Sequence, residues 1–107
     1  MTDTEFAVKL GWKFVGGITG WVRPDGIKQI FVPDWPNDIA ALYKHAVPVI
    51  ETMGLSNIVF SYTDKKPVFV KCYLKFWDKL DVHSEYFEIP QKSQALYAAC
   101  EKALKKE

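Results

Sequence analysis

Apolar residues recur at helical spacing in three stretches of the chain, and each stretch predicts a helix. The first helix follows the cap-type residues 2–5 and ends before Gly11. The third is opened by Pro90. Its predicted buried stripe consists of Leu96, Ala99, Cys100, Ala103 and Leu104.

The second helix begins at Asn37-Asp38, which are residues that favour a helix N-cap, and Gly54 provides its C-terminal stop. Pro48 lies inside this stretch and lacks a backbone N–H. We therefore expect either a kink near Lys44 and His45 or an early break of the helix.

Runs of β-branched and aromatic residues between these helices predict two hairpins. Residues 19–22 and 27–32 flank the turn Arg23-Pro24-Asp25-Gly26, and the glycines at 16, 17 and 20 mark a bulge, a bend or a close approach of another backbone. Residues 58–62 and 68–76 form the second hairpin across a polar connection at 63–66. A short edge strand at 86–88 follows.

This order predicts an α+β fold in which a mainly antiparallel sheet of four to five strands packs against about three helices. A chain of 107 residues has the size of one domain, so residues 1–107 are predicted to form a single domain.

The strand at 68–76 has two different faces. Val68, Val70, Cys72, Leu74 and Phe76 form an apolar face. Phe69, Lys71, Tyr73 and Lys75 form the other, with Trp77 next along the chain. Surfaces that stack bases or hold anionic ligands interleave aromatic and cationic side chains in this way, so this face is the main candidate binding surface. The alternative is that a helix covers the aromatics while the lysines extend outward.

Trp35, together with Trp12 and Trp21, lies close to proline residues and supplies a second aromatic cluster. It is either part of the core or an aromatic contact for a protein partner, and Trp35 is therefore also a candidate binding residue.

No catalytic, metal or cofactor site is predicted. Cys72 and Cys100 could pair as nucleophiles with His45 or His83, but both cysteines occupy apolar positions and are expected to be buried thiols. The two histidines and two cysteines are too widely spaced to begin a zinc site. The carboxylates of residues 78–88 alternate with lysine, histidine and aromatics, which favours a solvated edge over a catalytic dyad.

Charge and composition argue against a nucleic-acid or membrane partner. The formal net charge is +1 and Arg23 is the one arginine, so long-range attraction to phosphates and bidentate recognition are both weak. Asp3 and Glu5 stand where a signal peptide would be basic, and no apolar run approaches the ~20 residues of a membrane span, so we expect a cytoplasmic protein that is not exported.

Three short motifs occur in a characteristic order: Leu10-Gly11-Trp12, the run Asp38-Ile39-Ala40-Ala41, and the alanine-rich helix of residues 95–104. In these motifs the chain resembles the phage ABA sandwich domain family, which consists of small bacteriophage proteins of mostly unassigned function. The resemblance implies a sheet layer between helices and a bacteriophage source, and it transfers no catalytic residue.

The resulting functional hypothesis is a non-enzymatic bacteriophage accessory protein in the host cytoplasm that binds a host protein stoichiometrically. Inhibition of a host defence system is one form of that role, and it follows from the resemblance alone. The alternative is an oligomeric sponge for a small anionic ligand such as a signalling nucleotide, held by Lys71, Lys75 and nearby aromatics.

Overall fold

The computed structural model describes residues 1–18 and 20–105. The fold is α+β, as predicted, and its strands form two antiparallel sheets of three and four strands instead of one sheet of four to five. The chain divides into two compact units, Met1–Asp34 and Trp35–Glu107. The single domain stays a prediction, and each unit is described by itself.

The first unit begins with helix α1 (Asp3–Lys9), and the sequence signals for this helix are confirmed. Thr2 and Glu5 form a reciprocal capping box, in which the Glu5 amide donates to the Thr2 hydroxyl and the Thr2 amide donates to the Glu5 carboxylate. Gly11, at φ 92°, follows the end of the helix.

The first sheet has the strand order β1 (Lys13–Gly16), β2 (Gly20–Val22) and β3 (Lys28–Gln29). The predicted hairpin corresponds to β2 and β3, except that Thr19 lies outside the described residues. The sequence reading missed β1, which adds a strand across a bulge between Phe14 and Gly16. Residues 30–32 do not continue β3, which ends at Gln29. The Gln29 side chain donates a hydrogen bond to the Phe31 carbonyl at 2.7 Å.

Gly20 marks a close approach of two backbones. A Cβ atom placed there would lie 2.7 Å from the Ile30 carbonyl oxygen, and the residue has φ 71°. Both conditions exclude a larger side chain. Of the three alternatives predicted for these glycines, the close approach is found at Gly20 and a bulge is found between Phe14 and Gly16.

The second unit begins with a 3₁₀ turn (Trp35–Asn37) and three consecutive helical segments: α2 (Ile39–Ala41), a π-helical turn (Leu42–Ala46) and α3 (Val47–Glu51). The Asp38 side chain caps α2 by accepting from the Ala41 amide at 3.0 Å.

The π-helical turn explains how the chain accommodates Pro48. The Val47 amide donates to the Leu42 carbonyl five residues back, which widens the helix just before the proline ring. A proline in a regular α-helix would clash with the carbonyl four residues earlier, and the wider turn relieves that clash. The helix therefore neither ends nor breaks at Pro48, and the irregularity includes Lys44 and His45, where the kink was expected.

The second sheet is built on a long hairpin. Strands β4 (Leu55–Tyr62) and β5 (Phe69–Phe76) pair antiparallel. The other edge of β5 pairs with β6 (Val82–His83) and β7 (Phe87–Glu88). The predicted edge strand at 86–88 thus exists as β7, and β6 precedes it.

Ser84 lies between β6 and β7, where it makes the hydrogen bonds to β5 that a strand residue would make. Its amide donates to the Cys72 carbonyl at 2.9 Å, and its hydroxyl accepts from the Cys72 amide at 2.9 Å. The hydroxyl also donates to the Glu85 carbonyl at 2.7 Å. Ser84 is fully buried, so these bonds satisfy groups that water does not reach.

Helix α4 (Lys92–Lys105) packs against β5 and against the helical segments of the same unit. Its buried stripe contains every residue that the sequence predicted for it. Pro90 does not open this helix, because it belongs to a turn in which the Gln91 amide donates to the Glu88 carbonyl at 2.8 Å. Helical bonding begins with the Ala95 amide, which donates to the Gln91 carbonyl.

We expect Ser84→Ala to lower the free energy of unfolding by about 1–3 kcal/mol, because the buried Cys72 amide would lose its acceptor. Urea denaturation would measure this loss as a lower midpoint at an unchanged slope. The control is Ser56→Ala, since Ser56 is exposed on β4 and should shift stability by less than about 0.5 kcal/mol. Equal midpoints for the two variants would contradict the assigned role of Ser84.

We expect Gly20→Ala to destabilise the protein by about 1–3 kcal/mol more than Gly17→Ala. Both glycines have positive φ, 71° and 60°, so the backbone strain of the substitution is common to both. Only at Gly20 would the new methyl group meet another backbone, since nothing lies within 4 Å of a Cβ at Gly17. Thermal melts of the two variants measure the difference, and equal melting temperatures would refute the close approach.

Candidate functional site

Strand β5 has one buried and one partly exposed face, as its sequence alternation predicts. Val70, Cys72, Leu74 and Phe76 are buried. Phe69, Lys71, Tyr73 and Lys75 retain intermediate exposure. We call the second side of the strand the open face. Within this unit α4 packs against β5 with its apolar stripe, on the side that carries Cys72.

The Lys71 ammonium group is the central charge of the open face. It lies 5.3 Å from the centroid of the Tyr73 ring and 5.1 Å from that of Tyr86. Both distances are within the range of a cation–π interaction. Lys71 makes no ion pair with any carboxylate in the described part of the chain. Its charge therefore lies beside two rings, acts on the Glu85 carboxylate only at longer range than an ion pair, and can approach an anionic group.

Lys75 occupies a different electrostatic environment. Its ammonium group lies 5.9 Å from the Tyr73 centroid and pairs with the Asp81 carboxylate at 3.1 Å. The Tyr73 ring also contacts the His83 ring, with 5.5 Å between the centroids. Tyr73 is thus fixed by neighbours on both strands, which restricts its rotation before any partner binds.

The sequence reading found the β5 members of this site and missed Tyr86, Asp81 and His83 as their neighbours. Tyr86 lay inside the predicted edge strand, so its residue type was visible. Its contact with Lys71 depends on the break between β6 and β7 at Ser84. No regular alternation of apolar and polar residues in the sequence predicts that break.

The two tryptophan candidates have opposite environments. Trp77 follows β5 in the same alternation as the open face, is 76% exposed, and is held through its amide, which donates to the Gly54 carbonyl at 3.1 Å. Trp35 is fully buried, and Trp12 and Trp21 are buried as well. For these three residues the structure supports the core alternative, and Trp35 does not belong to an accessible surface.

The two thiols are placed as the sequence predicted. Cys72 and Cys100 are both free and fully buried. Burial raises the pKa of the Cys72 thiol to about 12, and burial also raises the pKa of Cys100. A nucleophilic cysteine needs a lowered pKa and access to substrate, and these residues have neither.

The carboxylates of the 78–88 segment are at the surface. Asp81 pairs with Lys75, and Glu85 pairs with Lys102 of α4. The hydrogen bond from Lys102 lowers the pKa of the Glu85 carboxyl, which favours its charged form. Among residues 1–18 and 20–105, no three His, Cys, Asp or Glu side chains come together to hold a metal ion.

The first unit has a separate concave feature, an open groove of about 840 Å³ beside α1 and the first sheet. Its lining consists of Met1, Thr4, Glu5, Val8, Lys9, Phe14 and Trp21. The Phe14 and Trp21 rings meet edge to face at 5.2 Å. The groove is lined mainly by apolar surface, and its polar lining residues are Thr4, Glu5 and Lys9.

Comparison with known proteins gives no relative from which a role for these residues could be inferred. No family model, no curated protein and no solved structure matches the chain. The resemblance to the phage ABA sandwich domain family therefore stays a prediction. No helix in the described ranges has the length and apolar character needed to cross a membrane.

We expect neither native cysteine to react with iodoacetamide at about pH 8.5, near the ordinary thiol pKa, because burial keeps both thiols protonated and inaccessible. Both should react once the chain is unfolded in concentrated urea. Lys65→Cys, in the exposed turn after β4, provides the control thiol that reacts in the native state. Mass spectrometry counts the added groups, and rapid native modification of Cys72 or Cys100 would contradict the burial argument.

Proposed function

We propose that this protein is a non-enzymatic binding protein that attaches stoichiometrically to a protein partner through the open face of β5. The observation that carries the proposal is the Lys71 ammonium group beside Tyr73 and Tyr86, with no carboxylate at ion-pair distance in the described structure. Such a cation is suited to a carboxylate of the partner, because its own side chain is already ordered by the two rings.

The exposed Trp77 favours a protein partner over a small anion. Tryptophan and tyrosine side chains supply most of the binding energy in many protein interfaces, since they bury large areas with few rotatable bonds. Trp77 and Tyr86 are 76% and 51% exposed at the margins of this surface. An inorganic anion would gain little from these two side chains, whereas a nucleotide base would stack on them, so the small molecules released in the capture experiment decide between a protein and a nucleotide.

The burial of both thiols and the pairing of Asp81 and Glu85 with lysines support a non-enzymatic role. The resemblance to small bacteriophage proteins suggests the setting, in which the partner is a host protein in the host cytoplasm and the consequence of binding is inhibition of a host defence system. That setting comes from the resemblance and the binding mode from the open face, so each can fail without the other.

We expect the tagged protein to capture one host protein in stoichiometric amount from a bacterial lysate, and the double variant Lys71→Ala, Lys75→Ala to lose it. The matched control is Lys65→Ala, Lys66→Ala, which removes the same charge from the exposed turn after β4 and should retain the partner. Capture should also weaken as salt is raised, because charge contacts at an exposed surface are screened. Mass spectrometry of the eluted proteins and of small molecules released on heating measures the outcome.

Equal capture by the two double variants would show that the open face is not the contact. A released nucleotide without a protein partner, lost on changing Lys71, would replace the proposal with the alternative of a sponge for a small anionic ligand.

A further inference from the structure

Strand β4 forms an edge of the second sheet, and its backbone groups divide between the two sides of the strand. On β5, the Phe69 and Trp77 backbones bond to the β4 side, since the Phe69 carbonyl accepts from Thr63 and the Trp77 amide donates to Gly54. The odd-numbered residues of β5 therefore face β4. In the observed register these residues oppose Asn57, Val59 and Ser61.

Because backbone direction alternates along a strand, the amides and carbonyls of Ile58, Phe60 and Tyr62 point to the outer edge of β4. The Ile58 amide donates to the Asn57 side chain at 2.9 Å. The outward backbone groups of Phe60 and Tyr62 have no hydrogen-bond partner in the described part of the chain.

This edge lacks most of the features that protect exposed strands from pairing. Natural edges carry charged residues, prolines or bulges that block another strand. β4 contains no Asp, Glu, Lys, Arg or Pro over its eight residues, and its bulge lies at its beginning, between Leu55 and Asn57. The Asn57 side chain protects the same beginning, which leaves the segment from Ile58 onward able to pair.

We propose that β4 is a homodimer interface, in which β4 of a second copy pairs with it antiparallel about a two-fold axis at Val59. This register opposes Val59 to Val59, Ile58 to Phe60, and Asn57 to Ser61 of the second copy. Every pair matches in polarity, and no like charges meet. The outward groups of Ile58 and Phe60 become hydrogen-bonded, with the Ile58 amide exchanging its Asn57 acceptor for a backbone carbonyl.

The self-matching register is the reason to assign a second copy of this chain and not an unrelated strand. A two-fold axis requires that residues at equal distances on either side of Val59 be compatible with each other, and the sequence meets this condition from Asn57 to Ser61. Val59 shares the open face with its β5 partner Tyr73. The two-fold axis would therefore place both open faces on the same side of one continuous sheet. The proposal rests on β4 alone and does not require the proposed function.

Cysteine cross-linking of the full chain tests the register. Opposed Val59 residues form a non-hydrogen-bonded pair, with Cα atoms about 4.5 Å apart, so Val59→Cys should form an intermolecular disulfide under mild oxidation. Ser61→Cys is the matched control on the same strand and face. In this register the two Ser61 residues are offset by four positions, about 13 Å along the strands, which is beyond the reach of a disulfide. The native cysteines are buried and should add no background.

Light scattering of the natural sequence should give twice the 12.3 kDa chain mass at high concentration. Val59→Lys opposes two ammonium groups at the axis and should weaken the dimer by at least about tenfold. Ser61→Glu also adds one charge to the strand, but it lies opposite Lys71 of its own copy and Asn57 of the second copy, so it should weaken the dimer much less. If Val59→Lys fails to fold, the two cysteine variants still decide the question.

Three outcomes would overturn the proposal: a monomer at every concentration with no Val59→Cys cross-link, equal cross-linking of Ser61→Cys, or a dimer unaffected by Val59→Lys. A monomer whose Phe60 amide gains protection from hydrogen exchange only in the presence of an extended peptide would assign the edge to a different chain.

Discussion

The backbone of β5 must be hydrogen-bonded along both edges, and the rest of the second unit depends on how this is done. β4 satisfies one edge along seven paired positions. The other edge is paired by β6 and β7, which have two residues each. Between these two strands, the Ser84 hydroxyl accepts a hydrogen bond from the Cys72 amide. A buried strand with an unpaired amide would lose roughly the free energy of a hydrogen bond at each gap, so this serine allows the edge to be short and irregular without leaving a buried group unsatisfied.

Two kinds of surface remain once β5 is paired and α4 covers its apolar side. The open face offers side-chain chemistry, in which Lys71 lies between Tyr73 and Tyr86. The outer edge of β4 offers backbone chemistry, through amides and carbonyls that β5 does not use. The first surface is a face of the sheet and the second is its edge. A dimer through β4 would double the open face, and simultaneous contact with two sites on a partner would raise the effective affinity.

Sequence reasoning found the candidate site as far as one strand extends. The alternation from Phe69 to Lys75 is local, because successive side chains of a strand must point to opposite sides. Tyr86 belongs to the site because its ring contacts Lys71, which lies 15 residues earlier in the sequence. The polar segment between them has no regular alternation from which this contact could be predicted. The sequence could not place Trp35, because an aromatic residue next to prolines occurs both in cores and on surfaces. Its complete burial in the structure decides for the core.

The sequence by itself determined the features that short-range sterics and capping control: the capped start of α1, the cap at Asp38, the turn at residues 23–26, where the Gly26 amide donates to the Arg23 carbonyl, and the two faces of β5. The tertiary structure decided what depends on distant contacts. The division of the strands into two sheets, the π-helical turn that carries the helix past Pro48, the later start of α4 after Pro90, and the ordering of Lys71 by Tyr86 all belong to this second group. The physical reason is that each of these features depends on packing or hydrogen bonding between segments that are distant in the sequence. No local pattern of residues predicts which of these segments come into contact.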